Sequence, residues 1–195
     1  MAKEKPILFN TEMVRAILVG RKMQTRRPID KDISNRFDID VDGTAFAYID
    51  QTTGDSYKPQ DICMYKIGDI LWVRETWCVD DLTPDDIYYR ANYTDKQAKE
   101  LFNDIGLKWR PSIHMPRSAA RLFLRVTKVR VERLQDITEE DARAEGCPSN
   151  LPNAKVWFAG LWDKLFANKL FAKRGYGYAN NPWVWVIEFE VVQSC

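Results

Sequence analysis

The chain has 195 residues, with 29 Lys plus Arg against 28 Asp plus Glu and a formal net charge of +1 at pH 7, so it can bury one sizeable core and carries no global field that draws it to nucleic acid or membrane. Any basic site is therefore local, and the lack of an apolar run near the ~20 residues of a membrane span, or of a leading signal-type segment, sets the expected location as cytoplasmic. A single histidine, His114, and four cysteines without a Cys-x-x-Cys pair (Cys63, Cys78, Cys147 and Cys195) argue against a structural zinc site and for free thiols, with no metal or cofactor expected. The same scarcity excludes a histidine-based triad unless His114 is its base.

In chain order, Lys5 to Phe9 reads as a short strand. Asn10 or Thr11 can cap the helix that follows, with Glu12 in its first turn and Met13, Val14, Ile17 and Leu18 on one apolar face. Gly20 is the natural stop, since a residue without Cβ takes the left-handed cap conformation at little cost. Directly after it comes the most informative stretch, Arg21-Lys22-Met23-Gln24-Thr25-Arg26-Arg27, closed by Pro28 and expected to be presented as a loop. Clustered cations with a hydroxyl can grip a phosphate or a polar nucleobase, or let Lys22 activate Thr25 as a nucleophile. A solvated basic turn is the plain alternative.

Residues 30 to 60 are acidic and weakly apolar, and Phe46, Tyr48 and the Asp50 to Gly54 turn suggest an inserted hairpin. Gly68-Asp69 then leads into a strand whose alternation puts Glu75 on the apolar face of Leu71, Val73 and Trp77. An ionised carboxylate there needs a cation, with Arg121 one candidate, or else a raised pKa. A second polar insert, 80 to 107, holds a strand at Ile87 to Ala91 and a Thr94-capped helix to Asn103. Lys108 to Ser118 is stiffened by Pro111 and Pro116 and interleaves Arg110, His114 and Arg117 with Trp109, the mixture that base stacking and phosphate contact require, or else an ordered loop anchored by its tryptophan. Arg121 to Leu134 is the longest strand, with a parity change near Thr127-Lys128 that implies a bulge or bend. Thr138 caps a short helix that Gly146 ends, Val156 to Phe171 has helical apolar spacing, and Pro182 to Val192 closes the chain as an aromatic strand with Glu188 and Glu190 on one face.

Three features in this order resemble the ASCH family of PUA-like proteins: Gly20-x-Lys22-x-x-Thr25-x-Arg27, then Gly68-Asp69 followed by Glu75, and the terminal aromatic strand. The stretch Trp109 to Arg117 is similar to longer, prophage-encoded ASCH proteins in particular. The resemblance implies an α+β fold, a PUA-like β-barrel flanked by helices, as a single domain over 1–195 with inserts at about 30–60 and 80–107. It also implies RNA or nucleotide binding. Small bacterial members hydrolyse the amide of N4-acetylcytidine with a lysine, a threonine and a glutamate, and motif matching carries those roles to Lys22, Thr25 and Glu75. Met23 departs from the threonine of those enzymes, and the inserts nearly double the chain.

Three functions stay open on these grounds. An amidohydrolase would use Lys22, its pKa lowered by Arg21, Arg26, Arg27 and burial, to take the proton of Thr25, although a nearby Glu75 would oppose that shift. A binding module for RNA or a modified nucleoside would use Arg21, Arg26, Arg27, Trp109, Arg110, His114 and Arg117 without turnover. A ribonuclease would use the same cations. No oligomeric state is implied.

Overall fold

Asn10 begins the order of the chain: its side chain accepts from the Met13 N–H and opens α1 (Thr11–Leu18) after β1 (Glu4–Leu8). Gly20, at φ +72°, ends that segment. The computed structural model describes residues 3–80, 86–166 and 174–192. Next come β2 (Gln24–Pro28), α2 (Lys31–Ser34), β3 (Phe37–Ile39), β4 (Ala45–Ile49), β5 (Ser56–Tyr57), β6 (Ile70–Arg74), β7 (Trp77–Val79), β8 (Ile87–Tyr89), α3 (Asp95–Ile105), β9 (Phe123–Arg133), α4 (Glu139–Ala144), α5 (Ala154–Phe166) and β10 (Trp183–Val192). Among the described residues the fold is mixed α+β with several sheets, none of them closed into the expected barrel.

Two compact units emerge, one of residues 1–20, 68–125 and 190–195, the other of 21–67 and 126–189. In the first, β1 runs parallel to β6, and β6 pairs antiparallel with the start of β9, Leu71 opposite Leu124. α1 buries Met13, Val14, Ala16 and Ile17, whereas Leu18, assigned to that face by spacing, is 48 % exposed because the helix ends there. β7 pairs with β8, and Trp77, Met115 and Ala119 form a small core beside them. Helix α3 starts at Asp95, and Thr94 accepts from the Gln97 N–H as its cap.

In the second unit the strand order is β9-β10-β2, and the expected insert is α2 with a three-stranded sheet, β3-β4-β5. Its core gathers Leu134, Ile137, Phe158, Trp162, Val184 and Val186. The anticipated parity change in β9 is visible in burial: Leu124 and Val126 are inside, Thr127 and Lys128 outside, and Val129 inside again. Thr138 caps α4 by accepting from the Asp141 N–H. The helix expected from Val156 to Phe171 is α5, and its expected end lies outside the described residues. No described helix is long and apolar enough to cross a membrane, and the thiols of Cys63, Cys78 and Cys147 are buried.

Candidate functional site

The basic stretch corrects the sequence expectation most sharply. Residues from Gln24 form a strand, not a loop, registered antiparallel on β10 with Thr25 opposite Ile187 and Arg26 opposite Val186. Met23 extends that pairing: its N–H donates to the Ala144 carbonyl at 2.8 Å and its own carbonyl accepts from Phe189 N–H at 2.9 Å. Lys22, Gln24, Thr25 and Arg26 are consequently buried. Charges so placed must be matched, because ions taken from water without partners cost several kcal/mol each.

The partners come from β9 and from α4 with the residue just after it. Lys22 Nζ donates to Glu145 Oε2 at 2.7 Å and to the Glu145 carbonyl at 2.9 Å. Arg26 spreads over three carboxylates, with Nη1 to Glu145 Oε1 at 3.2 Å, Nη2 to Asp141 Oδ2 at 2.8 Å and Nε to Glu132 Oε1 at 3.0 Å. Arg130 joins them through Asp141 at 3.0 Å and Glu188 at 3.3 Å. Gln24 Nε2 donates to the Asp141 carbonyl at 2.7 Å. Gln24 and Arg26 thus face α4, and strand alternation turns Thr25 and Arg27 to the other face of β2. Arg21 reaches the Gly146 carbonyl at 2.7 Å.

Burial pushes the Lys22 ammonium below its ordinary value; Glu145 pulls the other way, and Arg27 and Arg26 add to the depression. The downward direction wins because the cost of burial exceeds the attraction of Glu145, whose other oxygen meets Arg26. Burial also opposes the charge of Arg26, but Glu145, Glu132 and Asp141 together hold it above the usual arginine value. Burial lowers Arg27, with Tyr65 and Glu145 opposing, and raises the Tyr65 phenol against the pull of Arg27.

Glu75 belongs to the first unit. It is 1 % exposed, and Arg121, the partner anticipated from sequence, grips it with a two-pronged contact, Nε to Oε1 at 2.9 Å and Nη2 to Oε2 at 3.1 Å. Arg121 is itself fixed by Asn92 Oδ1 at 2.8 Å and lies over the Tyr89 ring at 4.0 Å. Trp109 is half-buried against Tyr93 and Arg90, at 6.0 Å and 5.9 Å, and lines a cavity of about 340 Å³ with Arg90, Asp95, Ala98 and Lys99. Arg110 is exposed over the Trp77 ring at 5.3 Å. Arg117 is tied to Glu4 by two contacts of 2.8 and 2.9 Å, and His114 is exposed. Among the described residues no group of three or more His, Cys, Asp or Glu could hold a metal ion.

The site therefore has members that sequence reading missed: Glu145, Glu132, Asp141 and Arg130. Glu145 carried a legible signal, since a carboxylate at the end of a helix meets the negative end of the dipole and calls for a nearby cation.

No family model matches the chain, and no curated protein does. Among the solved structures similar to it are these two. One is an ASCH domain from Lactobacillus crispatus, with a TM-score of 0.48 at 13 % identity, covering 98 % of this chain and 81 % of that one. The other is a DUF984 protein from Enterococcus faecalis, with a TM-score of 0.46 at 14 % identity, covering 99 % of this chain and 77 % of that one. This likeness assigns no role to any side chain.

Proposed function

We propose that the chain is an ASCH-type, PUA-like domain that hydrolyses an amide on an acylated nucleobase or nucleoside, N4-acetylcytidine being the type substrate. The observation that carries the reading is the buried Lys22, whose pKa is lowered by burial and by Arg27 and Arg26. A lysine held in this way is neutral in a larger fraction of molecules than a free one and can act as a base. Thr25, three residues on, is the nucleophile. Its Oγ attacks the acyl carbon, and its proton passes to Lys22 Nζ once that amine leaves Glu145 and turns to the face of β2 that carries Thr25. The C–N bond then breaks, the proton leaves on the exocyclic amine, and an acyl ester remains on Thr25. Water cleaves that ester, giving the carboxylic acid and the free hydroxyl. Arg27 offsets charge on the oxyanion. Because Thr25 and Lys22 are each 1 % exposed, substrate entry requires the groups that cover them to move.

The test is acetate release from N4-acetylcytidine, followed by mass spectrometry. Thr25→Ala and Lys22→Ala should each abolish release, and absence of release by the unaltered protein would end the proposal. A second reading, RNA binding without turnover, is favoured by the Trp109 cavity with its cations Arg90 and Lys99. It predicts RNA affinity that falls steeply with added salt, as phosphate contacts release counterions. A ribonuclease would shorten RNA in the same incubation without added metal.

A further inference from the structure

The second unit contains a cavity of about 620 Å³, lined among others by Lys31, Asn35, Phe37, Arg133, Tyr176 and Trp183. Its volume lies within the range of about 300–1,000 Å³ typical of small-ligand pockets. The walls combine two features that nothing in the Lys22 network explains. One is aromatic: Trp183 is fixed edge-on by Phe37 at 5.7 Å and 88°, and carries the Arg133 guanidinium over its ring at 4.2 Å. Arg133 is held in that stack by donating to the Asn181 carbonyl at 3.2 Å. A guanidinium plane fixed on an indole is a ready surface for a planar base.

The other feature is charge. Neither Lys31 nor Arg133 forms an ion pair with a described carboxylate. The nearby acid, Asp30, is occupied by the Asp32 N–H at 3.0 Å and the Tyr176 hydroxyl at 3.5 Å. The Lys31 ammonium rests against Gly175, where a Cβ would lie only 2.8 Å from Nζ. Glycine at this point, with φ at +69°, lets the ammonium sit close against the chain at the cavity wall. Two cations without carboxylate partners, amide side chains and fixed aromatic surfaces in one cavity match a ligand that joins a planar base to a phosphate.

We infer that this cavity binds a nucleotide, either free or as the phosphorylated end of an RNA chain, with Lys31 and Arg133 meeting the phosphate and the Arg133–Trp183 stack supporting the base. None of these residues takes part in the proposed hydrolysis, so the two ideas stand or fall separately.

The experiment is calorimetric titration of the full-length protein with nucleoside 5′-monophosphates, with the unphosphorylated nucleosides, and with inorganic phosphate. Nucleotides should bind saturably and about tenfold or more tighter than either half, the difference expected of an added charge-assisted contact. Lys31→Ala, on an exposed position of α2, should weaken binding about tenfold while leaving the thermal transition unchanged. Arg133→Lys, which keeps the charge but not the plane, should weaken it as well. Competition by a short RNA with a 5′-phosphate, but not by its 5′-hydroxyl twin, assigns the site to RNA ends, and competition by neither assigns it to free nucleotides. Absence of saturable nucleotide binding, affinity equal to that of phosphate alone, or affinity indifferent to both substitutions would overturn the inference.

Discussion

Replacing Glu145 by glutamine tests the electrostatics of the buried network directly. The change keeps shape and removes the charge that Lys22 Nζ meets at 2.7 Å and Arg26 Nη1 at 3.2 Å. Arg26 keeps Glu132 and Asp141, so the loss falls mainly on Lys22. Removing one member of a buried pair costs about 3–5 kcal/mol. An independent limit comes from the lysine itself: it can escape by losing its proton, which from an ordinary value near 10.4 down to pH 7 costs about 4–5 kcal/mol at about 1.4 kcal/mol per pH unit. The sign follows from the lowered pKa. The unfolded chain binds the Lys22 proton more readily than the folded one, so stability rises with pH between the folded and unfolded values. Glu145→Gln lowers the folded value further and widens that window downward. We expect a loss of about 3–5 kcal/mol at pH 7 that shrinks to about 2 kcal/mol at pH 9, measured by urea unfolding with tryptophan fluorescence. The double variant Lys22→Met with Glu145→Gln should recover part of the loss, since no charge is then stranded. A loss below about 1 kcal/mol, or one that does not change with pH, would refute the reasoning.

Asp141 gives the opposite pH dependence. Burial opposes its charge, but Arg26 and Arg130 outweigh that and hold it below the usual carboxylate value. Its contribution is therefore present above the unfolded value and lost as pH falls through the folded one, so Asp141→Asn should destabilise by about 1–2 kcal/mol at pH 7 and flatten the acid limb of the stability profile below about pH 4; an unchanged limb counts against the network. Glu75→Gln breaks the fork to Arg121, whose side chain is 25 % exposed, and should cost about 2–3 kcal/mol in denaturant unfolding, below the fully buried figure because water reaches the arginine. Trp109→Ala should weaken single-stranded RNA binding by about 1–3 kcal/mol in a filter or anisotropy assay if a base stacks there; unchanged affinity assigns Trp109 to packing alone.

Local chemistry was readable wherever the responsible atoms lie close in sequence. Asn10, Gly20, Thr138 and Gly146 mark helix ends through their own hydrogen bonds or backbone freedom, and the parity change in β9 follows from side-chain alternation alone. Glu75 announced its need for a cation because alternation grouped the acid with Leu71, Val73 and Trp77, and it is buried although it lies just past the end of β6. The strand at Gln24–Pro28 was hidden because its own residues carry charge, and charge on a strand reads as exposure. What buries Arg26 is a set of acids more than a hundred positions away, at 106, 115 and 119 residues' separation. Spacing within a window cannot report such partners.

The two buried carboxylates differ in what their partners allow. Glu75 is held by an arginine, which does not give up its proton in proteins, so the pair stays a fixed acceptor with fixed geometry. Glu145 is held by a lysine whose charge burial already disfavours, so that lysine holds its proton less firmly than a free one does. Base chemistry needs a proton that moves, and recognition of an exocyclic amine needs an acceptor that does not. On these grounds Lys22 with Glu145 suits the proton transfer proposed above, whereas Glu75 with Arg121 is a fixed ion pair of the first unit. The burial that makes the basic stretch a strand is also what weakens the hold of Lys22 on its proton, so the fold and the proposed chemistry of this segment have a common cause.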